Sequence, residues 1–101
     1  MVETLNQLAK RFLANVPEQN VFRCGNGHIL RNMKELAEEL KTMSDEGYTF
    51  HANKQKNDFA NWVRDIIKDE RLAADLQKTP KQSQAAKLVA GRISILSKRL
   101  V

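Results

Sequence analysis

Apolar residues recur along the chain at two spacings, and the spacing sorts the chain into elements. Leu5, Leu8, Ala9, Phe12, Leu13 and Val16 step by three and four, which predicts a first helix closed by Pro17. The stretch "VFRCGNGHIL" (21–30) then sets two short apolar runs about an Asn-Gly pair, a hairpin signal. A two-residue turn would set Cys24 opposite Ile29. A three-residue loop with Gly27 left-handed instead puts Phe22, Cys24, His28 and Leu30 on one face; it gathers three apolar side chains and is the preferred reading.

Asn32 and Glu35 have the spacing of a capping box, with Asn in place of Ser or Thr, and Leu36, Ala37, Leu40 and Met43 form the stripe of a second helix. "SDEG" (44–47) reads as the end of that helix. Tyr48, Phe50 and Ala52 then alternate with Thr49 and His51, the pattern of a third strand. Asn57 can cap a helix carrying Phe59, Trp62, Val63, Ile66 and Ile67, and Asp69 a short one with Leu72, Ala73 and Leu76. "TPKQ" (79–82) opens the last helix, with Thr79 as cap, Pro80 at the first position and Gln82 closing the box. At 1.5 Å per residue, the run from Pro80 to Val101 reaches roughly 30 Å. The expected fold class is α+β: a small three-stranded antiparallel sheet, hairpin plus one strand, packed with about five helices. One domain spans 1–101, with an N-terminal helix (1–17), a core (21–76) and a long basic helix (79–101).

Composition narrows the class of protein. A chain of 101 residues supports one modest core, and 42% hydrophobic with 29% charged residues is ordinary for a globular protein. Cys24, the single cysteine, cannot form an internal disulfide and suits a reducing compartment. No apolar run approaches the roughly 20 residues that span a bilayer. "MVETLNQLAKRFLANV" lacks the apolar stretch of a secretory signal, and Glu3 argues against a transit peptide, so a cytoplasmic protein without a membrane partner is expected.

"FRCGNGHILRNMKELAEEL" followed by "YTFHANKQKNDFANWVRDIIKDERLA" resembles a family of small archaeal and bacterial domains of unknown function. That family has a Phe-x-x-x-Asn-Gly hairpin, a helix, and a His…Lys-Asn-Asp-Phe-x-x-Trp-Ile/Val-Arg-Asp segment followed by Asp and Leu-Ala. The resemblance covers roughly residues 21–76 and implies a domain boundary, with no activity to carry over. Lys68 stands where the family pattern has Gly before Asp69, so a less sharply bent turn is expected there.

Charge is unevenly divided. The net charge is +5, yet all twelve acids lie in residues 1–75, opposed by eleven Lys and Arg, whereas 76–101 hold six cations and no acid. Those six are Lys78, Lys81, Lys87, Arg92, Lys98 and Arg99. On the last helix, Ala85, Val89, Ile93, Leu96 and Leu100 form the main apolar ridge, with Leu88 and Ile95 beside it. Lys87 and Lys98 share the outer face with Gly91 and Ser94, and Lys81, Arg92 and Arg99 run between the ridges.

The conspicuous residues of the core also have plain structural explanations. Trp62 lies on the stripe of Phe59 and Ile66, and Asn57 and Asp58 suit a cap and a first-turn acid. Strand alternation would put His51 on the polar side, where it joins Lys54, Lys56 and Arg64 as a candidate second contact patch. Cys24, His28 and His51 match no established zinc spacing, and no phosphate loop, nucleophile elbow or His-Glu-x-x-His pair is present. Neither catalysis, a metal nor a cofactor is expected. The expected function is non-enzymatic, sequence-nonspecific binding of nucleic acid, chromosomal DNA or ribosomal RNA, through the basic last helix. A homodimer formed through that helix is a second expectation, because two apolar ridges exceed one docking surface. The alternative is a protein-interaction or adaptor module using the same apolar faces.

Overall fold

Side-chain caps set where most of the helices start. The computed structural model describes residues 4–100; expectations for residues 1–3 and for Val101 lie outside it. In chain order it has α1 (Leu5–Leu13), a 3₁₀ turn (Glu18–Asn20), β1 (Phe22–Arg23), β2 (Ile29–Leu30), α2 (Met33–Thr42) and α3 (Asp45–His51). Then come α4 (Asp58–Trp62), its π-helical continuation (Val63–Ile67), α5 (Glu70–Gln77) and α6 (Gln82–Lys98). Thr4 caps α1 in a full capping box with Gln7. Asn32, Asn57 and Asp69 cap α2, α4 and α5 through their side-chain oxygens. The Asn32 box closes only halfway, because Glu35 turns its carboxylate to the Arg31 N–H at 2.7 Å.

The hairpin takes the three-residue form. Phe22 pairs with Leu30 and Arg23 with Ile29, and the Cys24 N–H donates to the His28 carbonyl at 2.9 Å. Gly27 closes the loop at φ +92°, a conformation that side chains rarely adopt. Phe22, Cys24 and Leu30 are buried on one side, while His28 is exposed.

The fold class departs from expectation: the protein is mostly helical, with six helices and a two-stranded antiparallel sheet among the described residues. The expected third strand, Tyr48 to Ala52, is α3. Ser44 accepts a hydrogen bond from the Gly47 N–H at 3.0 Å, and Asp45 and Glu46 occupy the first turn, where acids complement the helix dipole. Residues 44–47 therefore start a helix and do not end one, since α2 finishes at Thr42 with Met43 as its C-cap. The change of period matters more than the change of label. On a helix the buried set is Tyr48, His51 and Ala52, leaving Thr49 and Phe50 exposed, so Phe50 and His51 exchange the sides that strand alternation gives them.

Two further boundaries move. The last helix starts at Gln82, not Pro80: the Thr79 hydroxyl donates to the Asp75 carbonyl at 2.8 Å, and Gln82 reaches the Leu40 carbonyl. Thr79 thus finishes α5 and does not cap α6. At the end of α4, Lys68 adopts φ +76°, with its N–H and that of Asp69 both donating to the Val63 carbonyl. The turn is as sharply bent as a glycine would make it.

The core is an aromatic stack with helices around it. Phe59 lies between Phe22 and Tyr48, with ring centroids at 5.1 and 5.6 Å, and Trp62 meets Phe22 edge-on at 5.7 Å. Each polar tip finds a carbonyl: Tyr48 donates to Thr79 at 2.7 Å and Trp62 to Asn20 at 2.8 Å. Helix α6 packs chiefly along α2 and beside α1 and α5, burying Ala85, Val89 and Leu96.

Candidate functional site

The cations expected to carry function do not form one set. Lys78, Lys81, Lys87, Lys98 and Arg99 are exposed, with Lys87 and Lys98 on the outer face of α6 beside Gly91 and Ser94. Arg92 is engaged elsewhere: its Nε donates to Asp69 Oδ2 at 2.7 Å and its Nη2 to Asp69 Oδ1 at 3.2 Å. Its charge is thereby matched inside the fold. The second ridge of α6 is partly covered, with Leu88 half-buried and Ile95 52% exposed. Leu100, at the end of the main ridge, is exposed as well, and two such side chains are ordinary surface that gives the dimer expectation no support.

The second patch separates in the same way. His51 is 6% exposed and fully occupied: Nδ1 lies 3.0 Å from Asp58 Oδ2, and Nε2 accepts from the Gly25 N–H at 3.1 Å. A backbone N–H can only donate, so Nε2 carries no proton and Nδ1–H is the donor to Asp58. His51 therefore ties the hairpin loop to α3 and α4, away from the exposed edge expected for it. Lys56 pairs with Asp58 at 2.9 Å, and Arg64 with its neighbour Asp65 through two hydrogen bonds. Lys54 is exposed and has no acidic partner among the described residues.

Lys54 shares a depression with a lysine from the basic tail. A depression of about 460 Å³ between the α3–α4 loop and the α5–α6 loop is lined by Lys54 and Lys78, with Thr49, Asn53, Gln77 and Thr79. No Asp or Glu lines it. Its floor is fixed by Asn57, whose amide donates to the Leu76 carbonyl at 3.0 Å while its oxygen caps α4. A second, shallower depression shares Thr79 and is bordered by Lys87, Gln84 and Leu88. Lys54, Lys78 and Lys87 thus border two adjoining hollows. Lys54 and Lys78 lie 24 positions apart in the chain and line one depression only because the α3–α4 and α5–α6 loops come together in the fold.

On the other flank of α3 lies a cavity of about 440 Å³, with Cys24, His28, Glu39, Met43, Phe50 and His51 among its walls. Glu39 accepts from His28 Nδ1 at 2.7 Å and from Asn26 Nδ2 at 2.9 Å, so one hydrogen bond reaches each carboxylate oxygen. Asn26 in turn accepts from the His28 N–H at 3.0 Å, fixing the loop. Burial, aided by the Glu39 charge, pushes the Cys24 thiol up to about 11, which removes it as a thiolate nucleophile near neutrality. Among the described residues no group of three His, Cys, Asp or Glu could hold a metal ion. Sequence reasoning passed over Glu39 and Phe50. The signal for Glu39 was present, since an acid at 39 falls on the apolar stripe of Leu36, Leu40 and Met43.

No protein-family model, curated protein or solved structure matches the chain. Among the described residues no helix is long and apolar enough to cross a membrane. The functional reading therefore rests on the chain's own side chains.

Proposed function

We propose that this protein binds nucleic acid through its phosphates, without sequence preference and without catalysis, on a surface running from Lys54 and Lys78 past Thr79 to Lys87. The observation that carries the reading is that Lys54 and Lys78, from two separate loops, line one depression with no carboxylate in it. Lysine is a mobile, strongly hydrated point charge suited to phosphate oxygens, and the amides of Asn53 and Gln77 add neutral donors of the kind that position a nucleic-acid backbone. Lys98 continues the outer face of α6 beyond Lys87, roughly 16 Å further along at 1.5 Å per residue. Arg92 plays no part, its charge being held by Asp69.

Binding of this kind releases condensed counterions, so affinity falls as salt rises. Anisotropy titration of a labelled oligonucleotide of random sequence, at several salt concentrations, tests it. Three lysine contacts to a single strand predict a slope of about −2 in log affinity against log salt. A slope near zero, or no binding at low salt, overturns the reading.

A further inference from the structure

We propose that the cavity walled by Phe50 is a slot for one unpaired nucleobase, which makes single-stranded nucleic acid the ligand of the lysine-lined surface. The inference rests on the phosphate-binding reading and adds the recognition of a base.

Phe50 is 63% exposed, on a helix whose buried positions are Tyr48 and His51, so the ring contributes little to the core. It is held in place nonetheless. The His51 ring meets it edge-on at 5.0 Å, Lys56 Nζ lies 5.3 Å from its centroid, and Gly25 lets the hairpin loop approach. A Cβ at Gly25 would come within 3.3 Å of Phe50 Cε2. An exposed aromatic ring with a lysine beside it is a usual platform for stacking an unpaired base, because every base has a π-face and a duplex hides it.

The edge of the cavity is polar where its wall is aromatic. Glu39 uses one lone pair on each oxygen for His28 and Asn26, leaving acceptor capacity, and a carboxylate accepts well from the exocyclic amino groups of adenine, cytosine and guanine. The Nε2 of His28 has no partner among the described residues and offers a second polar contact. A volume of about 440 Å³ lies within the roughly 300–1,000 Å³ typical of small-ligand sites, enough for a nucleoside. The two hollows lie on opposite flanks of α3: Thr49 borders the lysine depression and Phe50, the next residue, borders the slot. In this proposal a strand whose phosphates lie along Lys54 and Lys78 crosses α3 to place one base in the slot.

The test uses the full chain and anisotropy titration against two labelled 12-mers, one of mixed adenine and cytosine and one abasic throughout, with adenosine monophosphate as a third ligand. Wild type is expected to bind the base-bearing strand about tenfold tighter than the abasic one, in keeping with one stacked base. Phe50→Leu, a surface change checked for folding by circular dichroism, is expected to abolish that preference while leaving affinity for the abasic strand unchanged. Equal affinity of wild type for the two strands, or a preference that survives Phe50→Leu, overturns the base slot and leaves the phosphate reading standing. Binding of adenosine monophosphate lost in Phe50→Leu, with neither strand bound, keeps the slot and overturns the phosphate reading. Binding of none of the three overturns both.

Discussion

Arg92 and Asp69 are joined by two parallel hydrogen bonds, at 2.7 and 3.2 Å, and Asp69 is only 1% exposed. Asp69 also caps α5 through the Leu72 N–H, so one carboxylate fastens the last helix to the start of another. Removing one partner of a buried pair strands the other charge without solvent. Arg92→Met is expected to lower stability by about 3–5 kcal/mol in urea denaturation. Arg92→Lys should recover only part of the loss, since an ammonium cannot reproduce the fork. A cost below about 1 kcal/mol would mean that the pair is dispensable.

Asp58 makes stability fall in acid. Burial pushes its carboxyl up, but hydrogen bonds from His51 and Lys56, with the Lys56 charge, outweigh it and hold the group below the usual carboxylate range. A depressed folded value contributes stability that is present above the unfolded value of about 3.9 and is lost as pH falls through the folded one. Thermal unfolding followed from pH 7 to pH 2 should show that loss in wild type. Asp58→Asn should be less stable at pH 7 and flatter below about pH 4. Parallel curves for the two proteins would show that Asp58 is not responsible.

Cys24 should be chemically quiet. With its thiol pushed up to about 11 and its side chain buried, alkylation by iodoacetamide at pH 8 should be at least about tenfold slower in the folded protein than in denaturant. Mass spectrometry of timed samples reads this directly. Labelling at equal rates would show that the hairpin opens readily or that the thiol is ionised.

Lys68 occupies a left-handed position that costs a residue with a Cβ roughly 1 kcal/mol. Lys68→Gly should therefore raise stability by about 0.5–1 kcal/mol, and a β-branched Lys68→Val should lower it by about 1 kcal/mol. Chemical denaturation of the pair, compared with wild type, measures both. The opposite order would place the strain elsewhere.

The parts of the fold that could be read from the chain are those in which a local rule acts alone. The Asn57 and Asp69 caps, the Gly27 loop and the burial of Phe59 and Trp62 all follow from spacing and residue type. The third strand failed because five residues are too few to separate a period of two from one of 3.6: Tyr48 and Ala52 are inward on either. Only Phe50 and His51 distinguish the two, and Ser44, Asp45 and Glu46, which start α3, suit the end of a helix as well by residue type. That one misreading exchanged a buried tether for an exposed ring. Arg92 and Lys54 were out of reach for a different reason. Their surroundings come from elements far away in sequence, Asp69 in one case and Lys78 in the other.

The depression shared by Lys54 and Lys78 is central to the proposed binding, and the salt dependence of a protein lacking both tests it most directly. The Lys54→Gln/Lys78→Gln protein should bind a single-stranded oligonucleotide with a log affinity against log salt slope shallower than wild type by about 1.4, two contacts at roughly 0.7 each. An unchanged slope in a folded double variant would contradict the account and remove this depression from the binding surface.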